Sequence, residues 1–470
     1  MKHRSSGRGA ALAAAALVLA PATAWAGGMT LHTRGVRPTA RGGAFVAGAD
    51  DVGAMWFNPA GLAHLAGTPD GVDDDDRGST EVLVDATFVQ QSGEYDRIDS
   101  GGNPQGTVSN EAAGLPIPTM AAGFDLGDQG VLAVGVGAPF AGLMKFPEDG
   151  AQRYSLVDMS QSLIVQLMVG VGWKLGDHIR IGATVQDWVQ SLTQRVVVSG
   201  CPGQTLCAPE NPEFDSLVEV SQNDFFNPSG SLGVQLDAGD KVTFGAAFQA
   251  PIKMSGGATL RTRLPSSGFY QGASVVGEDA TVSYTLPATM RLAVEIKPTP
   301  QWRVELAGDV ELWSEHKEIR IVPKDVRIEN AAGVGTYELG PMAVPRNFDN
   351  SYAVSLGVEG QPVKLLPLRI LAGYTFETAA APDAYLSVLT FDGQKHMGTL
   401  GAGYRIGRYT FDAMVGVVKV ADRTVTPDVG VSPQLTPVRD PTDEPLEVYV
   451  NWGTYRTSWL MAGAGVRVDL

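Results

Sequence analysis

The stretch QWRVELAGDVELW, residues 301–313, places Trp302, Val304, Leu306, Val310 and Leu312 on one face and Arg303, Glu305, Asp309 and Glu311 on the other. A period of two reads as a β-strand, apolar on one side and charged on the other. The pattern returns in Leu368, Ile370, Ala372, Tyr374 and Phe376 against Arg369, Thr375 and Glu377. It returns again in Val82, Val84, Ala86 and Phe88 against Glu81, Asp85 and Thr87. A soluble sandwich builds the same strands with the apolar face turned inward, so alternation alone leaves sandwich and barrel open.

The connections separate the two. Strands are expected near 81–91, 117–126, 130–146, 152–175, 178–198, 226–237, 241–254, 279–297, 301–322, 348–360, 365–378, 395–406, 409–422 and 455–470. The joins after the even strands are short: GDQG, GDH, AGD, PTP, GQPVK and GR. Those after odd strands are long, as at 199–225, 323–347 and 423–454. An even strand number with tight turns at one rim and long loops at the other is the pattern of an outer-membrane barrel. The expectation is therefore an all-β, 14-stranded antiparallel transmembrane β-barrel over residues 81–470, with several strands reaching beyond the bilayer. Trp173, Trp302, Trp313, Tyr409 and Trp459 are expected in its interfacial girdles. Val466, Val468 and Leu470 share a face of the last strand, where an assembly signal usually ends in an aromatic residue.

Composition agrees with export. Lys2, Arg4 and Arg8 precede an apolar run from Ala10 to Ala20 and an Ala24-Trp25-Ala26 site, a signal peptide over 1–26 with Gly27 as the first mature residue. That run is about half of the ~20 residues a spanning helix needs, and no run of ~18 uncharged apolar residues follows it. The 57 glycines disfavour a helical enzyme, and a net charge of −16 argues against nucleic acid as a partner. Cys201 and Cys207 are the only cysteines. Outside the cytoplasm they form a possible disulfide, with two free thiols as the alternative, and no nearby His completes a zinc site.

Residues 27–80 carry no strand pattern and are expected to form a hatch and an acidic linker at the short-turn mouth. Asn58 suits the cap of a short helix and Pro59 its first turn, followed by Ala60, Leu62, Ala63 and Leu65. The run from Asp70 to Asp76 lacks EF-hand spacing and reads as solvated linker. No H-E-x-x-H, G-x-S-x-G or P-loop occurs, so neither an enzyme nor a cofactor or metal site is expected.

ARGGAFVAGADDVGAMWFNPAGL, with Gly42-Gly43, Ala49-Asp50-Asp51 and Asn58-Pro59-Ala60, resembles the N-terminal hatch of the FadL/TodX family of outer-membrane transport proteins for long-chain fatty acids and other hydrophobic compounds. GVGAPFAGLMKF resembles the family's third strand, LPATMRLAVEIKPTPQWRVELAGDVELWSEHKEIRI its central run and PLRILAGYTFETAAAPD a later stretch. The resemblance implies a monomeric barrel in the outer membrane, placed there by the barrel-assembly machinery and surrounded by outer-membrane lipid. It also implies a passive route for a long-chain fatty acid or another hydrophobic ligand, with an N-terminal hatch as its gate. A kink in the third strand would open sideways, near Ala138, Pro139, Phe140 and Gly142. Arg195 and Arg320 fall near family positions for carboxylate partners, whereas the small polar residue expected at the kink is here Ala138. Phe214, Leu217, Phe225, Phe226, Phe269 and Tyr270 are candidates for an external hydrophobic docking groove. A general porin, or a structural or adhesive barrel, is the alternative.

Overall fold

The charged faces turn inward and the apolar faces outward. In the ninth strand, Trp302–Glu311, Leu306 is 50% exposed while Glu305 is 0% exposed. Val84 and Phe88 are exposed in the first strand, where Asp85 and Thr87 are buried. A sandwich requires the reverse, so the alternation belongs to a barrel whose outer surface meets hydrocarbon.

The computed structural model describes residues 33–67, 80–203, 207–208, 210–332, 335–438 and 448–470. The expected signal peptide and the Asp70–Asp76 run lie outside the described residues. The fourteen barrel strands are Thr80–Ile98, Leu115–Asp125, Gly130–Ala141, Leu163–Leu175, Ile179–Ser199, Pro228–Asp237, Val242–Gln249, Thr289–Thr299, Trp302–Glu311, Ser351–Gly360, Leu368–Glu377, Lys395–Ile406, Tyr409–Val420 and Gly453–Asp469. Each pairs antiparallel with its neighbours, and the first closes on the fourteenth from Glu81↔Asp469 to Arg97↔Gly453. Closure leaves no sheet edge for lipid to meet, which a membrane demands because hydrocarbon cannot satisfy backbone groups. Short joins and long joins alternate around the two rims as the sequence spacing requires.

Three expectations change. The third strand ends at Ala141 rather than at 146, and the fourth begins at Leu163 rather than at 152, because the intervening chain turns through 148–162. On the long-loop side the sixth to ninth strands continue as the separate segments Asp215–Asp224, Ile252–Arg263, Asp279–Leu286 and Glu318–Pro323. Trp173, Trp302 and Tyr409 lie near the short-turn rim, whereas Trp313 is 0% exposed and Trp459 packs against the interior cluster of Val89, Ile117 and Met461. Trp459 shares the inward parity of Met461 on its strand, and Trp313 leaves the ninth strand in a 3-10 turn that carries it inside.

Candidate functional site

Residues 33–67 fill the short-turn end of the barrel. The chain there forms a helix at Val36–Ala40 and 3-10 turns at Val52–Trp56 and Pro59–Leu65, nearly all of it buried. Asn58 caps the last turn as expected: its Oδ1 accepts from the Ala60 N–H at 3.2 Å, and its Nδ2 donates to the carbonyls of Val46 and Val234, each at 3.0 Å. The motif residue thus ties the turn both to its own segment and to the sixth strand. Asp51 caps the preceding turn by accepting from the Gly53 N–H. Gly42 and Gly43 have φ of 66° and 83°, a left-handed bend that other residues adopt only with strain.

Glycine in the wall lets this segment dock. A Cβ at Gly233 would lie 2.0 Å from Asn58 Oδ1, and one at Gly182 would lie 2.2 Å from the Pro59 carbonyl group. The abundance of glycine is therefore partly a matter of backbone lying directly on backbone.

Charge fixes the dock. Arg41, 0% exposed, reaches Glu295 and Glu305 at 3.0 Å each and Glu359 at 3.3 Å, so carboxylates from three strands meet one guanidinium. Glu305 also accepts from the backbone N–H groups of Val46, Ala47 and Gly48. Arg37 pairs with Asp50 and Asp51 at 2.7 Å and with Glu359 at 3.0 Å, while Arg303 and Arg467 take the other sides of Asp50 and Asp51. Burial opposes ionisation of Asp50, but Arg303 and Arg37 outweigh it and hold its carboxyl well below the usual carboxylate range. Below this layer a polar cavity of about 640 Å³ opens at the short-turn rim, lined by His64, Arg369 and Arg405 among others.

Strand pairing in the wall stops beside the segment. The second and third strands pair from Asp125↔Val131 only as far as Thr119↔Gly137. Beyond that the third strand keeps its other neighbour, with a register shift between Gly137 and Phe140. The second strand likewise stays paired with the first through Pro116 and Pro118. Since N–H groups alternate between strand edges and that ladder is unbroken, the donors these prolines lack belong to the edge facing the third strand. Pro139 removes another donor opposite them. The gap is closed above by Asn110, whose side chain donates to the Leu143 carbonyl at 2.7 Å and accepts from the Lys145 N–H at 3.0 Å. Ala138, Ile117 and Leu143 back the gap with an apolar lining.

Above the plug the interior is apolar, with Phe140, Trp188, Met254, Trp313, Phe348 and Phe391 in one cluster. Within it lies Arg346, 0% exposed, over the Phe348 ring at 4.6 Å and donating to the Thr390 hydroxyl. Among the described residues no carboxylate lies within ion-pair distance of it and its Nε has no hydrogen-bond partner, but the buried Asp392 carboxylate, itself paired with Lys395, acts on it from farther off. Burial pulls its pKa down to about 10, which leaves it charged at neutral pH. Sequence reading missed this residue, because PRNFDN at 345–350 gives no hint that its arginine is buried within an apolar cluster.

The two arginines that the resemblance suggested lie elsewhere. Arg195 pairs with Glu219 at 2.7 Å and Arg320 lies 3.8 Å from Glu318, all four at partly exposed positions beyond the chamber. The external aromatic set divides. Phe214 and Tyr270 are buried, Phe269 packs on Tyr270, and Leu217 packs against Tyr154 and Val197. Tyr270 lines a small cleft with Val198, Leu260, Ile328, Met342 and Val438. Phe225 and Phe226 instead project outward at 70% and 76% exposure. Cys201 and Cys207 are joined in a disulfide with 6.0 Å between their Cα atoms.

No curated protein matches the chain. Among solved structures it is similar to a Pseudomonas aeruginosa FadL homologue, with a TM-score of 0.72 and 16% identity over 94% of this chain and 100% of that one. It is similar also to the P. putida toluene transporter TodX, at 0.64 and 15% over 94% and 99% of the two chains. The Ralstonia pickettii toluene transporter TbuX gives 0.60 and 15% over 93% and 99%. At these identities the likeness shows the fold. The family model described as outer membrane protein transport protein (OMPP1/FadL/TodX) matches residues 17–432, more than half of the chain, and the chain belongs to that family.

Proposed function

We propose that this barrel carries hydrophobic small molecules, long-chain fatty acids among them, passively across the outer membrane. The ligand enters between the external loops, occupies the apolar chamber and leaves sideways into the bilayer through the gap between the second and third strands. The observation that carries this reading is the end of pairing at Thr119↔Gly137, where the apolar lining of Ala138, Ile117 and Leu143 reaches the wall. An apolar solute gains nothing from a water-filled exit, and lipid is its favourable destination.

The segment 33–67 acts as the gate that keeps the lumen closed to water, and its rearrangement follows ligand binding. Arg346 supplies the charge that receives a ligand carboxylate, because its buried guanidinium touches no carboxylate directly, Asp392 acting on it only from a distance, and an anionic headgroup gives it a hydrogen-bonded partner. The protein works as a monomer, reaching the outer membrane through the assembly machinery after loss of its signal peptide.

The test is retention of a radiolabelled long-chain fatty acid by the purified barrel, with ion conductance recorded in planar bilayers. Saturable retention with negligible conductance is expected. Steady conductance without retention would replace this reading with that of a general porin.

A further inference from the structure

A second break in the wall lies between the sixth and seventh strands. Below it the strands pair up to Ser231↔Gln249, with the Ala250 N–H donating to the Gly230 carbonyl at 2.9 Å. Above it their extensions pair again from Gln222↔Ala258. The register between the two strands is the same on both sides, so they part over 223–229 and 251–257 and rejoin, while against the fifth strand the sixth shifts by one residue between Gln190↔Asp224 and Asp187↔Pro228. Residues 230 and 250 face each other in a hydrogen-bonded pair, so the next such pair up the ladder would be 228 with 252. Pro228 has no N–H to give, and the ladder fails there.

On the inner side of this lens Asp224 and Gln222 both lie against Gly256, where an added Cβ would come within 2.9 Å of each. Asp224 shares its parity with the buried Gln222 and presents its Oδ2 to Gly256. That oxygen is buried and has no hydrogen-bond partner among the described residues. Ile252 and Met254, both buried, connect the inside of the lens to the apolar chamber, and exposed Phe225 and Phe226 flank its outer lip. Trp188 lies between the two breaks: it pairs with Gln166 toward the first and exchanges backbone and side-chain bonds with Asn227 at the second.

We propose that this lens is a second lateral port, gated by Asp224 resting on Gly256, through which the apolar chamber exchanges molecules with the membrane independently of the third-strand gap. The unpartnered carboxylate oxygen selects neutral, mainly apolar molecules that carry a hydrogen-bond donor, such as alkylphenols and long-chain alcohols. The donor satisfies Oδ2 while the tail passes between Phe225 and Met254. The inference rests on the transport reading above.

The experiment measures uptake of radiolabelled 4-nonylphenol by Gram-negative cells carrying the chain in a Cys201→Ser, Cys207→Ser background. Ala138→Trp fills the third-strand gap, and a bis-maleimide joins Phe225→Cys to Ser255→Cys across the lens. Mobility of the unboiled barrel on a gel confirms folding of each variant. With Ala138→Trp alone, saturable uptake persists; adding the cross-link lowers it at least fivefold, and Gly256→Ala, which displaces Asp224, raises it about twofold. Uptake that is abolished by Ala138→Trp alone, or that ignores the cross-link, overturns the second port and leaves the first intact. Absence of saturable uptake by the unaltered chain sinks both.

Discussion

The Arg41 guanidinium lies 3.0 Å from the Glu305 carboxylate with neither side chain exposed, and this contact holds the plug segment to the ninth strand. Glu305 also accepts three backbone N–H bonds from Val46 to Gly48. Replacing it with Ala takes one of three carboxylates from Arg41 and leaves three orphaned backbone donors. Loss of one partner of such a pair costs about 3–5 kcal/mol. The expected result for Glu305→Ala is a barrel that still folds, while segment 33–67 becomes sensitive to protease and ion conductance rises. Unchanged protection would mean that the other contacts of Arg41 suffice.

At Gly233 and Gly182 the obstacle is volume rather than charge. A side chain at either position overlaps Asn58 or Pro59, which are held between rigid strands and cannot yield. Gly233→Val is expected to expel the Pro59–Leu65 turn with the same protease signature as Glu305→Ala, and Gly257→Val, where no atom lies within 4 Å of the added Cβ, to leave it in place.

The third-strand gap predicts a split between binding and transport. Ala138→Trp occupies the opening from inside without touching Arg346, so retention of ligand by purified protein should fall less than twofold while third-strand exit is lost. With a long-chain fatty acid as probe, uptake should drop by more than fivefold. Equal loss of both quantities would place the binding site at the gap itself.

Arg346→Met removes the charge and preserves much of the apolar volume. A hydrogen bond to a charged group contributes about 1.5–3 kcal/mol. Affinity for a long-chain fatty acid should therefore fall about tenfold or more, while that for the corresponding methyl ester stays unchanged. Thermal stability of the empty barrel should be equal or higher, since a buried charge with no directly paired carboxylate has been removed. Equal weakening of acid and ester would assign Arg346 a purely packing role.

The acid limit of the latch follows from Asp50. Its carboxyl is held below the ordinary value of 3.8 by Arg303 and Arg37, so the stability it lends to docking is fully present above that value. That contribution is lost only as pH falls through the lowered folded value. Protease protection of segment 33–67 should stay constant from pH 8 to pH 5. Release between pH 5 and 6 would show that a different group controls the latch.

The alternation of residues 301–313 and the short and long joins determined the strand number, the closure and the inward charged face. These are local properties: a period of two fixes which side chains share a face, and join length fixes which rim a turn occupies. The Asn58-Pro59 cap was equally legible, because a cap is made within four residues. Whether a wall holds is a different kind of question. Pro116, Pro118, Pro139 and Pro228 each announce a missing donor, but only the paired strands show which edge lost it and whether the ladder resumes beyond. The same is true of Arg346, Trp313 and Arg195, whose environments are built from segments far apart in the chain. What surrounds a charge depends on which distant segments meet it, and that was decided by the tertiary structure alone.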